Sequence, residues 1–217
     1  MNITILRSIE ISYIYCLKAL LMYSKFKLAL EKDIELSPNL WKQLQEFGKI
    51  RHFKKNEYLL RAGQVCQYGY FINSGSLVKT FLNQNGKEIV QGFYVDEVYA
   101  FLSEASGYFS EQVSDFEIKA IENCELIEFS KTQLEYLINN YQEFAVFFHK
   151  ITASSYQNLY MFSAMRLSLN AEDFLQFLYN QHPIYMQRIP DKYIAQFMGV
   201  SKEWLSKLKR KVFKNTI

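Results

Sequence analysis

A chain of 217 residues, 49% of them hydrophobic, can bury a substantial core and is long enough for one larger domain and a smaller one. With 25 Lys and Arg against 22 Asp and Glu, overall charge points to no polyanionic partner. Three scattered cysteines, Cys16, Cys66 and Cys124, fit a reducing cytoplasm and argue against a disulfide framework, a zinc site or an iron–sulfur cluster.

Residues 1–35 read as an N-terminal extension. Its first part is rich in Ile, Leu and Tyr, but Arg7, Glu10 and Lys18 interrupt it before any membrane-spanning length is reached. Residues 1–32 are therefore expected to form an extra helix packed on the body or a flexible leader. In "ELSPNLWKQLQEFG" the helix signals agree: Ser37 as N-cap, Pro38 at the first position, Leu40, Trp41, Leu44 and Phe47 on one face, Gly48 beyond the end.

From Lys49 to Ser130 the pattern changes to short β-type runs split by turn residues: "EYLLRAG", "YGYFINSG", "SLVKTFLNQNG", "EIVQGFY", "FEIKAI" and "ELIEFS". Asn85-Gly86 is the strongest hairpin signal, since both residues tolerate the positive φ such turns demand. Gly63 and Gly75 mark two more reversals. Many short strands without alternating helices predict a sandwich or jelly-roll barrel over residues 36–130 rather than βαβ units.

After Ser130, Leu134, Leu137, Tyr141, Phe144, Phe148, Ile151, Ser155, Asn158 and Phe162 alternate steps of three and four. This predicts one long helix over 131–163, with a seam long enough for a homodimer. Residues 164–217 then hold a helix capped by Asn170, a Pro-containing connector, and two closing helices in "IPDKYIAQFMG" and "SKEWLSKLKRKVF".

The positive charge is concentrated at this end. Residues 201–217 carry six basic side chains against Glu203 alone, an excess of +5 that leaves the rest of the chain at −2. Gly199, one residue before the Ser201 cap, predicts a sharp elbow, with Ala195 small at the helix crossing and Ile194, Met198, Val200, Leu205 and Leu208 closing a small core. The outer face is then Ser201, Lys202, Glu203, Ser206, Lys207 and Arg210, a helix-turn-helix pattern that would meet a DNA major groove. Lys202 and Lys207 are placed to donate to guanine, Glu203 to accept from cytosine, and Lys209, Lys211 and Lys214 to meet phosphates. Trp204 is expected to pack on the neighbouring helix.

With "FKKNEYLLRAGQVCQYGYFINSGSLVKTFLNQNGKEI" in the barrel and "YIAQFMGVSKEWLSKLKRKVF" at the end, the sequence resembles the Crp/Fnr superfamily of bacterial transcription regulators from about Leu36 to Phe213. The resemblance implies an α+β architecture: an N-terminal double-stranded β-helix (jelly-roll) effector-type domain, a long dimerisation helix and a C-terminal helix-turn-helix. It also implies a cytoplasmic homodimer on double-stranded DNA, with RNA polymerase as a candidate further partner, and Lys202, Glu203 and Lys207 at the base-reading positions. The family's C-terminal wing hairpin is missing, as in the short type that resembles Bacteroidetes regulators.

The expected nucleotide site departs from the family. Cyclic-nucleotide binders carry a Gly-Glu pair and an Arg-Ser or Arg-Thr, whereas "DEVYAFLSEASGYFSEQVSDFE" has neither. It offers no Lys or Arg and six carboxylates, Asp96, Glu97, Glu104, Glu111, Asp115 and Glu117. No cAMP or cGMP binding is therefore expected, and no cofactor. Tyr94, Tyr99, Phe101, Tyr108 and Phe109 are expected around this degenerate pocket, filling it or lining a slot for an apolar or aromatic effector. The scattered His52, His149 and His182 fit neither a cupin metal site nor haem ligation, and read as surface or helix-face residues. No catalytic motif appears, so no enzyme is expected. An effector-binding or protein-interaction module without direct DNA readout stays open as the alternative.

Overall fold

The structure is a computed structural model that describes residues 23–98, 100–104, 110 and 112–214, the side chains of 213 and 214 excepted. The expectations for Cys16, Tyr99, Tyr108, Phe109, Glu111 and the Lys214 side chain lie outside the described residues.

Residues 23–31 are helical (α1) and bury Phe26 and Leu30, so this part of the N-terminal extension packs on the body. Helix α2, Pro38–Phe47, starts where the sequence predicts: the Ser37 hydroxyl accepts from the Leu40 N–H at 3.2 Å, and Leu40 and Leu44 are buried. Among the described residues, eight strands form two antiparallel four-stranded sheets. One has the order β1-β8-β3-β6 (Lys49–Phe53, Cys124–Ser130, Tyr68–Ser74, Phe101–Leu102), the other β2-β7-β4-β5 (Tyr58–Leu60, Phe116–Ala120, Ser76–Leu82, Glu88–Val95). The β4–β5 connection uses positive φ at Gly86 alone; Asn83, not Asn85, shapes the loop, its side-chain oxygen accepting from the N–H groups of Asn85 and Lys87 at 3.0 Å each.

Both sheets are covered outside as well as inside. Tyr70 and Ile72 of β3 enter the inter-sheet core while Phe71, on the opposite face, meets α1 and the helices that follow the barrel. Leu77 of β4 likewise faces inward and Val78 outward, against the C-terminal helices. This double burial explains why these strands read as continuous apolar runs rather than alternating ones. Each fully buried Phe or Leu contributes about 1.5–3 kcal/mol toward holding the layers together.

The long helix is interrupted. Helix α3, Lys131–Asn140, opens on a capping box between Ser130 and Gln133, and Tyr141 then turns to extended backbone before α4, Gln142–Ser168. The apolar seam is largely spent inside the chain: Leu134, Leu137 and Phe144 are buried against the barrel, Phe148 and Ile151 pack beside them, and Phe162 meets the C-terminal helices. Spacing identifies an apolar face without saying what covers it. The large apolar side chains of α4 left exposed are Val146, Tyr156, Leu159, Tyr160 and Leu167.

Helices α5 (Ala171–Gln181), α6 (Pro183–Arg188), α7 (Asp191–Met198) and α8 (Lys202–Lys214) complete the chain. They dock on the outer face of β4 and β5, where Phe93 lies 5.3 Å from Tyr185 and 5.2 Å from Phe197, centroid to centroid. Among the described residues, no helix is long and apolar enough to cross a membrane.

Candidate nucleic-acid interface and barrel cavities

The elbow between α7 and α8 is set by one backbone conformation. Gly199 adopts φ +72° and ψ +23°, left-handed values that cost a side-chain-bearing residue dearly, and its N–H and that of Val200 close the end of α7 on the Gln196 and Ala195 carbonyls. Ser201 then caps α8, its hydroxyl accepting from the Trp204 N–H at 3.1 Å. Ala195, the small residue expected at the crossing, is buried.

The burial of Leu205, Leu208 and Val212 settles which way α8 faces. Residues three and four apart share a helix side, so Ser201, Lys202, Glu203, Ser206, Lys207 and Arg210 turn outward, and all six are exposed. Trp204 also stands out, 48% exposed, where packing on a neighbour was expected; it lies three and seven residues before Lys207 and Lys211, at the margin of the outer face. The Glu203 carboxyl is held below the usual carboxylate range by its own backbone N–H and then by the Ser201 hydroxyl, which ties it to the start of the helix.

The lysines are not equivalent. Lys209 is bonded to Asp191 of α7, and Lys211 to Glu172 of α5. Lys202, Lys207 and Arg210 have no ion pair among the described residues. Residue counting could not separate these two sets, because the partners come from other helices.

Cations from elsewhere also reach the acidic segment 96–117. Arg188 of α6 donates to Asp96, to Glu97 at 3.1 Å and to Glu122, and Lys25 of α1 is 2.8 Å from Asp96. Lys79, inside "SLVKTFL", puts its Nζ 3.3 Å from Glu104 and 4.1 Å from the centre of the Phe116 ring, and both members of the pair are buried. Burial pushes the Lys79 ammonium down, with the Glu104 carboxylate opposing. Reading the segment alone missed these partners; a lysine amid apolar strand residues was the available signal. Of the remaining carboxylates, Asp115 is exposed and Glu117 half-buried.

Two cavities adjoin this region. One, about 450 Å³, lies between barrel, α4 and the C-terminal helices, and its lining includes Tyr94 and Phe101. The other, about 430 Å³, is lined by barrel residues including Cys66, Tyr70 and Glu104. His52 and His149 are exposed, but His182 is buried, stacked on Tyr185 at 5.1 Å, and burial lowers its pKa. The described residues contain no group of His, Cys, Asp and Glu able to hold a metal ion.

Residues 50–141 match the cyclic nucleotide-binding domain family. The c-di-GMP-responsive global regulator CLP of Xanthomonas campestris is 16% identical over 83% of this chain and 93% of its own, with a TM-score of 0.62. FixK2 of Bradyrhizobium japonicum gives 14% identity, 78% and 86% coverage and a TM-score of 0.64. A Crp/Fnr-family protein from Eubacterium rectale gives 17%, 83%, 85% and 0.63. No curated protein matches the chain. Residues 50–141 thus match the cyclic nucleotide-binding domain family, and the chain as a whole shares the fold of these three solved structures.

Proposed function

We propose that the protein is a transcription regulator that binds specific double-stranded DNA through a helix-turn-helix formed by α7 and α8, acts as a homodimer, and does not respond to cAMP or cGMP. The observation that carries this reading is the outward face of α8. Lys202, Lys207 and Arg210 stand exposed without an internal ion pair among the described residues, interleaved with Ser201, Ser206 and Glu203, on a helix whose opposite face is locked into a core. Cations there neutralise phosphates, and side-chain donors and acceptors projecting from the first turns read base edges. Lys211 joins them as a phosphate contact once it exchanges Glu172 for DNA.

The exposed apolar residues of α4, Tyr156, Leu159, Tyr160 and Leu167, are the surface for the second copy. Insensitivity to cyclic nucleotides is supported by Lys79 of the barrel interior already being neutralised by Glu104, so that a cyclic phosphate would meet no open positive charge among the described residues lining the two cavities. The sharp test is selection of bound duplexes from a random pool by the purified chain. Enrichment of a sequence with two related half-sites about one helical turn apart is the expected result; an unenriched pool overturns the reading.

A further inference from the structure

We propose that α1, the helix of the N-terminal extension, is a strap that holds the C-terminal helices on the barrel through one shared carboxylate, Asp96. The Lys25 ammonium of α1 lies 2.8 Å from Asp96 Oδ2, and Arg188, the last residue of α6, donates to Oδ1 of the same side chain. That side chain is 9% exposed. Lys25 and Arg188 stand toward opposite ends of the chain, and α1 precedes the segment 50–141 that matches the family.

The two halves of this clasp depend on each other. A buried carboxylate is costly unless it is paired and hydrogen-bonded, and here one cation comes from each side. Lys25 is itself held, its Nζ donating to the Asn73 carbonyl at 2.7 Å, so it pins the carboxylate and leaves Oδ1 turned toward α6. Arg188 also donates to Glu97 at 3.1 Å and to Glu122, which in turn accepts from the Ser76 hydroxyl. Helix α1 is anchored independently of Asp96. Phe26 is buried 4.9 Å from Phe71, Tyr23 donates to the Gly48 carbonyl at 2.7 Å, and Lys150 of α4 donates at 2.6 Å to the Asp33 carbonyl just past the end of α1. Neutralising Lys25 or lifting α1 therefore strips Asp96 of its fixed partner and loosens α6, with α7 behind it, from the barrel. Control of the orientation of α8 by the extension is a consequence that rests on the DNA-binding reading; the strap itself does not.

The test follows amide hydrogen exchange along the purified full chain, without DNA. Lys25→Met, which keeps the aliphatic stem and removes the charge, should speed exchange in α6 and α7 by about threefold or more and change β1 and β8 by less than about twofold. Lys32→Met, at an exposed position in the turn after α1 and off the α4 face, should change α6 and α7 by less than about twofold. Adding Lys25→Met to Arg188→Met should speed α6 and α7 by less than about twofold beyond Arg188→Met alone, because either change opens the same clasp. Asp96→Asn should speed α1 and α6 together, and it decides the matter if Lys25→Met fails to fold in a melting scan. Unchanged exchange in α6 and α7 of Lys25→Met, equal acceleration in the barrel strands, full accelerations that multiply in the double variant, or an Asp96→Asn effect confined to one of the two helices would each overturn the proposal.

Discussion

Arg188 and Lys207 are both basic residues of the C-terminal helices, yet one is spent inside the molecule and the other is not. Arg188 bridges to Asp96, Glu97 and Glu122 of the barrel, with the Ser76 hydroxyl donating to Glu122 beside it. Lys207 stands exposed on α8 without an ion pair among the described residues. The same contrast divides the apolar residues: Phe197 is buried against Phe93, while Trp204, seven residues on, is half exposed. What a segment's charge or hydrophobicity can do for a partner is therefore what remains after the fold has taken its share.

Changes on the inner side should act on stability and changes on the outer side on binding. The largest effect is expected for Phe197→Ala, which empties an aromatic cluster and should cost about 3–5 kcal/mol in urea unfolding. Lys207→Ala should shift the same transition by less than about 0.5 kcal/mol, as for a surface substitution with no partner. A comparable loss in both would erase the distinction. Arg188→Ala comes next. It leaves Asp96 and Glu122 facing each other with one cation removed, and because the site is partly open to solvent the cost should be about 2–3 kcal/mol, below that of a fully buried pair.

In DNA binding the order reverses. Lys207→Ala should weaken the preferred duplex by about 1 kcal/mol more than a random one, since a base contact is lost. Lys211→Ala should weaken both equally and reduce the slope of log affinity against log salt by about 1, as expected for a phosphate contact. Equal effects of Lys207→Ala on both duplexes would make Lys207 a phosphate residue instead.

The smallest effect belongs to His182. Burial lowers its folded-state pKa, so the unfolded chain binds the proton more readily. The stabilisation is fully present above the ordinary histidine pKa of about 6.5 and is lost as pH falls below it toward the lowered folded value. The melting midpoint should drop between pH 7.5 and 5.5, and His182→Phe, which keeps an aromatic ring against Tyr185, should drop less.

Much of this division is legible in the sequence. Ser37-Pro38, Asn170, Gly199 and Ser201 each mark a helix boundary by local chemistry that tertiary packing did not override. The outer residues of α8 followed from the periodicity of Leu205 and Leu208. What was not legible depended on distant partners. The seam of α3 and α4 reads the same whether covered by a second copy or by the chain's own barrel, and Phe144 chose the barrel. Lys79 and Glu104 lie 25 residues apart, and only the barrel brings them together. The β4–β5 loop turned on Asn83 rather than Asn85 because a side-chain acceptor outside the two-residue signal captured its N–H groups.

The central claim is that the unspent face of α8 reads DNA sequence. It is tested most directly by measuring, at one fixed salt concentration, the affinity of wild-type and Lys207→Ala chains for a selected duplex and for a scrambled duplex of the same composition. A wild-type preference for the selected duplex of at least a thousandfold, reduced about fivefold by the substitution, is the predicted outcome. Equal wild-type affinity for the two duplexes would contradict it.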